Sequence, residues 1–414
     1  MLLHVIFWTS LAALFFTYAG YPLLLCLVAP LRRTPVIRPE SFEPSLSLLI
    51  PARNEAAQIE AKLRNCVQLD YPKGLLEILL INDGSDDDTV KRAQDFARQN
   101  GWFCPGDTLA GERPDNTILF RIITVTARLG KSFALGQGAA VAQGEILVFS
   151  DADSLIAMHS LRLLVHPFVN PIVGCTAGRY VPGGHGPRPT AGVGLYWRYE
   201  NHLREMESRV GGLLGASGAL YAVRRNLFEP LEPGLINDDF IIPMRITAKG
   251  YRSLFVPGAT AQEEASRSAD HEFSRRVRIM AGNCEHLWLF RGLLWDWRRW
   301  RTAVQLFCHK FLRVISPLWL IVALVCNGFL LFQGNALFLQ CVYLIIFLMQ
   351  LGCYALAGIG THMKRLKGYA RVLALPYYFA LINLAALCGV YYFFFNRKGL
   401  VWRSPVADEK ECPR

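Results

Sequence analysis

Two carboxylates spaced two residues apart, Asp151 and Asp153, follow the apolar run Ile146-Leu-Val-Phe149. Four apolar residues bounded by Gly144 and Ser150 fit a fully buried strand of a parallel sheet. An open α/β sheet places its ligand crevice at the carboxyl ends of its strands, so both side chains would project into it from the same side. Two hard oxygen donors there suit a divalent cation that holds a diphosphate. An Asp-rich turn is the alternative for an isolated Asp-x-Asp, and the surrounding chain decides between them.

That chain alternates strand and helix. Leu46-Ser-Leu-Leu-Ile50 reads as a first strand stopped by Pro51, after which Ala52 to Glu55 open a helical pattern with Ile59, Leu63 and Val67 toward the core. A second strand over residues 76–81 runs into Asn82-Asp-Gly-Ser85. Ser85 or Asp86 is expected to cap the next helix, with Asp86, Asp87 and Asp88 in its first turn, where negative charge is favourable. Residues 101–116 read as a surface loop. A third strand over residues 118–125 precedes Arg128-Leu-Gly-Lys-Ser132 and a small-residue helix that ends at Gln143. Gly-Lys-Ser matches the end of a phosphate-binding P-loop, but that motif needs glycine where Val125 stands. Three such alternations specify a doubly wound, mostly parallel sheet of the Rossmann-like α/β class. Beyond Asp153 the pattern predicts a strand over residues 172–181 and an amphipathic helix over 193–210 that carries Tyr196, Trp197 and Tyr199. A short helix opening within Leu235-Ile-Asn-Asp-Asp-Phe240 and a strand over 251–256 follow. The run Gly211 to Tyr221 is poor in bulk, which permits either close approach of another molecule to its backbone or tight packing between elements.

Hydropathy divides the 414 residues. Met1 to Leu31 lack Asp, Glu, Lys and Arg, and three further uncharged apolar runs lie near residues 314–332, 336–360 and 372–395. Each is long enough to cross a hydrocarbon core of about 30 Å. The first lacks the basic leading region and cleavage site of a secretory signal, so it is expected to be a retained anchor, and Arg32-Arg33 places its end, with the soluble domain, in the cytoplasm. The expected organisation is an anchor over residues 1–31, a globular domain over 40–283, an amphipathic interface helix over 284–303, a membrane region of about three spans over 304–396 and a polar tail over 397–414.

Net charge is +11, and residues 271–313 hold nine Lys or Arg against three acids. There Trp and Leu mix with Arg in the pattern of a helix lying in the bilayer interface, which favours membrane lipids over nucleic acid as the partner. The spans themselves carry no acid or base, which disfavours a transporter. Their polar exceptions Asn327, Gln340, Gln350 and Asn383 suit pairing between helices or contact with a lipid or glycan. Four crossings return the tail to the outside, whereas Lys364, Arg365, Lys367, Arg371, Arg397, Lys398 and Arg403 favour the cytoplasm. Pro376 and Asn383 would permit a re-entrant last segment. The 11 cysteines are scattered without a Cys-x-x-Cys pair, so neither a zinc site nor a disulfide framework is indicated.

Six short motifs in order, Pro51-Ala-Arg-Asn-Glu55, Asn82-Asp-Gly-Ser85, Gly130-Lys131, Asp151-Ala-Asp153, Gly215 to Tyr221 and Asn237-Asp-Asp239, resemble those of the family 2 glycosyltransferases of GT-A fold. The resemblance extends to the membrane-bound branch that includes polysaccharide synthases and ceramide glucosyltransferases. It implies that Pro51, Asn54, Glu55 and Asp83 contact the base and ribose of a nucleotide-sugar, a UDP-sugar by family habit, with Lys131 near the diphosphate. Glu55 and Asp83 follow neighbouring strands, where carboxylates accept hydrogen bonds from a ligand; helix capping is the competing role of each. By the same resemblance Asp151 and Asp153 bind Mg²⁺ or Mn²⁺, Asp153 more directly, and Asp239 is the catalytic base with Asp238 in support. Ser217, Gly218 and Arg275 would face the acceptor.

The synthases of this family carry Gln-x-x-Arg-Trp where this chain has Arg275-Arg-Val-Arg278-Ile279. Arg278 keeps the arginine, a diphosphate-binding candidate through its rigid donor fork. Ile279 offers no stacking face for an acceptor sugar. The resemblance thus implies an inverting transfer to a lipid-linked or cell-surface glycan at the inner membrane of a cell, with partner subunits of a glycan-assembly pathway possible. A processive synthase that translocates its polymer is the closest alternative, and a non-catalytic membrane scaffold or transporter is the alternative of another class.

Overall fold

The structure, a computed structural model, describes residues 1–32, 42–105, 112–183, 191–263, 269–333, 336–362 and 374–395. The chain divides into a helical unit of residues 1–31, 189–203 and 266–399, and an α/β unit of residues 32–188, 204–265 and 400–414.

Among the described residues eight strands build the α/β unit: β1 Leu46–Ala52, β2 Leu76–Asn82, β3 Leu119–Thr124, β4 Ile146–Phe149, β5 Ser154–Ile156, β6 Val173–Pro182, β7 Tyr221–Arg224 and β8 Arg252–Glu263. They form one sheet in the order β3-β2-β1-β4-β7-β6-β8-β5. The first four are mutually parallel, as the strand and helix alternation requires. On its other side β4 pairs antiparallel with β7, so the expected central strand of a mostly parallel sheet is the seam between its parallel and antiparallel parts. All residues of β1, β2 and β4 are buried, the polar Ser47 and Glu77 included, which explains why their apolar residues show no in-and-out alternation.

Three expectations need correction. Pro51 does not stop the first strand, because β1 continues to Ala52 and Pro51 pairs with Ile81 of β2. Ser150 N donates to Leu49 O, so the odd-numbered peptide groups of β1 face β4, which ends at Phe149. The donor that Pro51 lacks would thus point past the end of its neighbour, where proline is tolerated. Asp86 to Asp88 precede the helix Thr89–Gln99 rather than occupying its first turn. There Asp87 accepts from the backbone of Thr89 and of Ala56, tying the two loops that follow β1 and β2. Finally, β8 runs to Glu263 rather than ending near residue 256. Its ladder to β6 jumps from Val256 to Thr260, so Pro257-Gly258-Ala259 bulges out and pairing resumes beyond.

Among the described residues of the helical unit four helices, Leu2–Leu31, Trp297–Leu331, Leu337–Ile359 and Leu375–Phe395, are long and apolar enough to cross a membrane, as in a multi-pass membrane protein. Phe7, Ala323, Cys326, Leu330 and Tyr343 form a core between three of them. The apolar run near residue 314 is the second half of a longer helical stretch that also carries His309, Lys310 and Arg313. Arg313 donates to Glu200 at 2.8 Å, and His309 lies 3.2 Å from the same carboxylate. Asn383 accepts from Ser316 at 2.7 Å, and Gln350 donates to Leu320 O at 3.0 Å, which realises helix pairing for these two polar residues. The predicted interface helix is broken: the helix Ala269–Leu289 gives way to short 3-10 turns at Arg291–Trp295 and Trp297–Arg299. Asp296 accepts the Arg298 N–H and starts the second turn. Trp295, Trp297 and Trp300 are nonetheless exposed. The basic loop and tail positions Lys364, Arg365, Lys367, Arg371, Arg397, Lys398 and Arg403 lie outside the described residues.

Candidate active site

The carboxyl ends of β1, β2 and β4 and the amino end of the helix Asp238–Ala248 gather most of the sequence candidates. The loop after β1 holds Asn54 in a left-handed conformation, φ 56°, which asparagine tolerates better than most residues. Its Oδ1 accepts the Asp86 N–H at 2.8 Å and its own N–H donates to Ser85 Oγ at 3.1 Å. Asn54 is therefore committed to joining the two loops. The Glu55 N–H is likewise held by Thr89 Oγ1 at 2.8 Å, and its side chain is buried. Asp83, directly after β2, is 1% exposed, and among the described residues neither carboxylate oxygen has a hydrogen-bond partner. Burial raises its carboxyl above the usual range, against the pull of Arg53 and Arg128. A buried acceptor pair left open at a strand end marks a place for ligand donors.

Lys131 begins the helix Lys131–Val141 and points its Nζ at two carboxylates, 2.6 Å from Asp151 Oδ1 and 3.5 Å from Asp238 Oδ1. Burial by itself would lower this ammonium, but Asp151, Asp238 and Asp239 together hold it well above its ordinary value, so it remains a cation.

The low-bulk run resolves into close packing. A methyl group on Gly215 would lie 2.7 Å from the Phe240 ring, and one on Gly218 would lie 2.7 Å from Asp151 Oδ2 and 3.1 Å from Lys131 Nζ. Gly218 joins two motifs through its backbone: its carbonyl accepts the Asp151 N–H at 3.1 Å and its N–H donates to Asp239 Oδ2 at 3.1 Å. Ala216 N–H adds a 2.7 Å bond to the Asp239 carbonyl. Asn237 turns the chain into the helix with φ 59°.

The two aspartates that follow differ. Asp238 is buried and its Oδ2 accepts from Tyr221 OH at 2.9 Å. Burial and the adjacent carboxylates keep that phenol protonated and thus a donor. Asp239 is half-buried, and burial, reinforced by the charge of Asp238 against Lys131 and Arg204, pushes its carboxyl up to about 6. A carboxyl poised just below neutral pH is suited to take up a proton.

Asp151 and Asp153 leave the end of β4 on one turn, closed by the Ser154 N–H donating to Asp151 O at 3.2 Å. Among the described residues no group of three or more His, Cys, Asp or Glu is placed to hold a metal ion. Two hard carboxylates fit Mg²⁺ or Mn²⁺ as part of a shell that a diphosphate and water complete, which is the usual pattern for these ions. Pro51 lies at the last turns of β1, and Ser217 immediately precedes Gly218 on the packed run. Arg275 and Arg278 are not among the residues this unit gathers; both sit on the helix Ala269–Leu289 of the helical unit. In that unit the buried arginine is their neighbour Arg276, bonded to Glu272 at 2.8 Å and Tyr378 at 2.6 Å, with its guanidinium 4.6 Å from the Tyr196 ring centre.

Sequence reasoning missed Lys62, Tyr221 and Arg204. Lys62 had a legible signal, since it shares a helical face with Ile59, Leu63 and Cys66, all buried. Tyr221 closes the motif Gly215 to Tyr221 without a role being assigned to it, and Arg204 had no signal, for their partners are set by pairing across the sheet and by a helical residue more than thirty positions from Asp239.

Comparison with known proteins adds to this geometry. Residues 47–231 match the profile "Glycosyl transferase family 2" and residues 146–358 match "Glycosyl transferase family group 2". The chain is 26% identical over 280 residues to a probable glycosyltransferase, YdaM, of Bacillus subtilis, which covers 65% of this chain and 62% of that protein. It is 22% identical over 317 residues to the poly-beta-1,6-N-acetyl-D-glucosamine synthase of Staphylococcus epidermidis, covering 74% of this chain and 70% of the synthase. Among solved structures, the mannosyltransferase PcManGT from Pyrobaculum calidifontis, in complex with GDP-Man and Mn²⁺, superposes with a TM-score of 0.66 at 22% identity, over 96% of this chain and 100% of that one. That likeness shows a shared fold across both units' sequence.

Proposed function

The chain belongs to glycosyl transferase family 2, and on that premise we propose that it is an integral-membrane, inverting enzyme. It transfers a sugar from a nucleotide-sugar, a UDP-sugar, to a hydroxyl of a lipid-linked or cell-surface glycan, with its α/β unit in the cytoplasm. The observation that carries this reading is the bridge from Asp151 to Asp239 by the Gly218 backbone, beside which Lys131 joins Asp151 to Asp238.

In this reading Asp83, with Pro51, Asn54 and Glu55 around it, receives donors of the base and ribose. Asp151 and Asp153 hold Mg²⁺ or Mn²⁺, and when bound the cation supplies charge stabilisation for the departing diphosphate. Lys131 adds a permanent positive charge on the same side. Asp239 accepts the proton of the acceptor hydroxyl as its oxygen attacks the anomeric carbon from the face opposite the nucleotide, and a single displacement inverts that carbon. Asp238, held by Tyr221 and Lys131, keeps the start of the helix and its neighbour in place. Ser217 and Gly218 line the acceptor side.

Incubation of the purified protein with labelled UDP-sugars tests the reading. UDP release that needs Mn²⁺ or Mg²⁺ and disappears in Asp239→Asn is the expected result; release unchanged in that variant overturns it. A second reading, processive synthesis, is favoured by similarity to the poly-beta-1,6-N-acetyl-D-glucosamine synthase along 74% of this chain. Ile279 stands against it. Sizing the product separates the two, because a ladder of long chains is incompatible with single transfer.

A further inference from the structure

Lys62 has no place in the reading above, yet it is among the most thoroughly buried side chains of the α/β unit, 0% exposed on the inner face of the helix Ile59–Val67. Its Nζ lies 2.6 Å from Ser150 Oγ and 2.5 Å from the Ser154 carbonyl. These are the residues immediately before Asp151 and immediately after Asp153. Ser150 Oγ in turn donates to the Ala219 carbonyl at 2.7 Å, so its hydrogen is spent and Lys62 must be the donor to it. The Ser154 carbonyl can only accept. Lys62 therefore clamps both ends of the Asp151-Ala152-Asp153 turn from beneath and, through Ser150, reaches the residue next to Gly218, whose N–H holds Asp239.

Packing does not account for the choice of residue. Methionine fills a similar volume without taking an amine out of water, and replacing buried charge by apolar side chains is often neutral or stabilising. Burial lowers the Lys62 ammonium, with Cys66, Asp151 and Asp153 pulling it back up. The clamp does not depend on the outcome, because the amine retains two N–H donors and both acceptors need one each.

We infer that Lys62 is a positioning residue that holds the Asp151 and Asp153 carboxylates at the separation a nucleotide-bound divalent cation requires. The inference rests on the proposed cation-dependent transfer. Groups that orient metal ligands from behind typically cost 10–100-fold in metal affinity or activity when removed.

The test uses the full-length protein in detergent, with Lys62→Met and Ser150→Ala. Binding of Mn²⁺ is measured with and without UDP by the loss of the free-ion paramagnetic resonance signal, beside UDP release and thermal unfolding. Lys62→Met is expected to unfold no earlier than the wild type while its Mn²⁺ affinity in the presence of UDP falls about 10–100-fold, with turnover partly recovered at high Mn²⁺. Wild-type affinity in Lys62→Met overturns the inference. If Lys62→Met unfolds early, Ser150→Ala decides, since it breaks one arm of the clamp and leaves the lysine in place: a several-fold loss of Mn²⁺ affinity supports the clamp and no loss overturns it. A wild-type protein that binds no Mn²⁺ with UDP overturns the transferase reading itself, and this inference with it, and is thereby distinguished from failure of the clamp alone.

Discussion

The backbone N–H of Gly218 donates to Asp239 Oδ2 at 3.1 Å while the carbonyl of the same glycine accepts the Asp151 N–H at 3.1 Å. One residue thus sets the distance between the turn after β4 and the first turn of the helix Asp238–Ala248. Two acidic motifs more than eighty residues apart in sequence become one site through it.

Gly218→Ala tests this spacing. The added methyl group would meet Asp151 Oδ2 at 2.7 Å and Lys131 Nζ at 3.1 Å, both the mobile ends of side chains. Stability is expected to fall by about 1 kcal/mol or less, since the side chains can yield. Turnover is expected to fall by roughly 100-fold, the scale associated with misplacing reacting groups by an ångström. Thermal unfolding beside UDP release from a UDP-sugar checks both halves.

The pH profile follows from Asp239. A base must be ionised to work, so kcat is expected to rise as pH passes about 6 and to level off above neutrality. Asp239→Asn is expected to lower turnover by roughly 10²-fold or more. Stability has the opposite sign. The carboxyl is raised in the folded protein from 3.8 to about 6, so its favourable contribution is complete below 3.8 and is lost as pH rises through about 6. Asp239→Asn should therefore unfold at a higher temperature than the wild type at pH 8, with the gap closing toward pH 4. Melting curves at the two pH values decide.

Asp83→Asn separates a ligand contact from a structural cap. Among the described residues neither carboxylate oxygen has a hydrogen-bond partner by geometry, and burial raises the carboxyl against the pull of Arg53, Arg128 and the Gly130 backbone, so the net effect of the fold is to disfavour the charge that the amide removes. The free protein is expected to be no less stable, while affinity for UDP drops about tenfold, the value of one hydrogen bond to a charged group. Calorimetric titration with UDP measures this; equal affinity would assign Asp83 to the scaffold.

In the helical unit Arg276→Met should be costly. It leaves the buried Glu272 carboxylate without its 2.8 Å partner, and breaking a buried pair costs about 3–5 kcal/mol. Adding Glu272→Gln to the same chain should restore much of that loss, because the buried charge that Arg276 neutralised is then gone. Thermal unfolding of the two variants in one detergent gives the comparison.

The parts legible in the sequence are those that a single element encodes. Runs of four to seven apolar residues are uniformly buried strands because helices cover both faces of a parallel sheet, so β1, β2 and β4 were each visible without their neighbours. The membrane helices were visible for a similar reason, as hydrocarbon demands length and apolarity from each span separately. Asp151 and Asp153 could be placed because a strand end dictates where its next residues point.

Misreadings arose where a neighbouring element decides. Proline reads as a strand breaker unless the partner on its donor side has already ended, as β4 has beside Pro51. Pro257 and Gly258 read as an end unless a bulge lets the ladder resume, as β8 does. Lys62 was passed over because only the fold brings Ser150 and Ser154 beneath its helix face.

Sequence alone thus determined the long buried strands, the spans and the acidic motifs, because burial on one element leaves a local pattern, whereas the short strands β5 and β7 left none. Tertiary structure alone decided that β7 lies against β4, that Gly218 joins Asp151 to Asp239, and that Lys62 closes the turn from below. Those relations are hydrogen bonds and contacts between residues tens of positions apart, and no period along the chain records them.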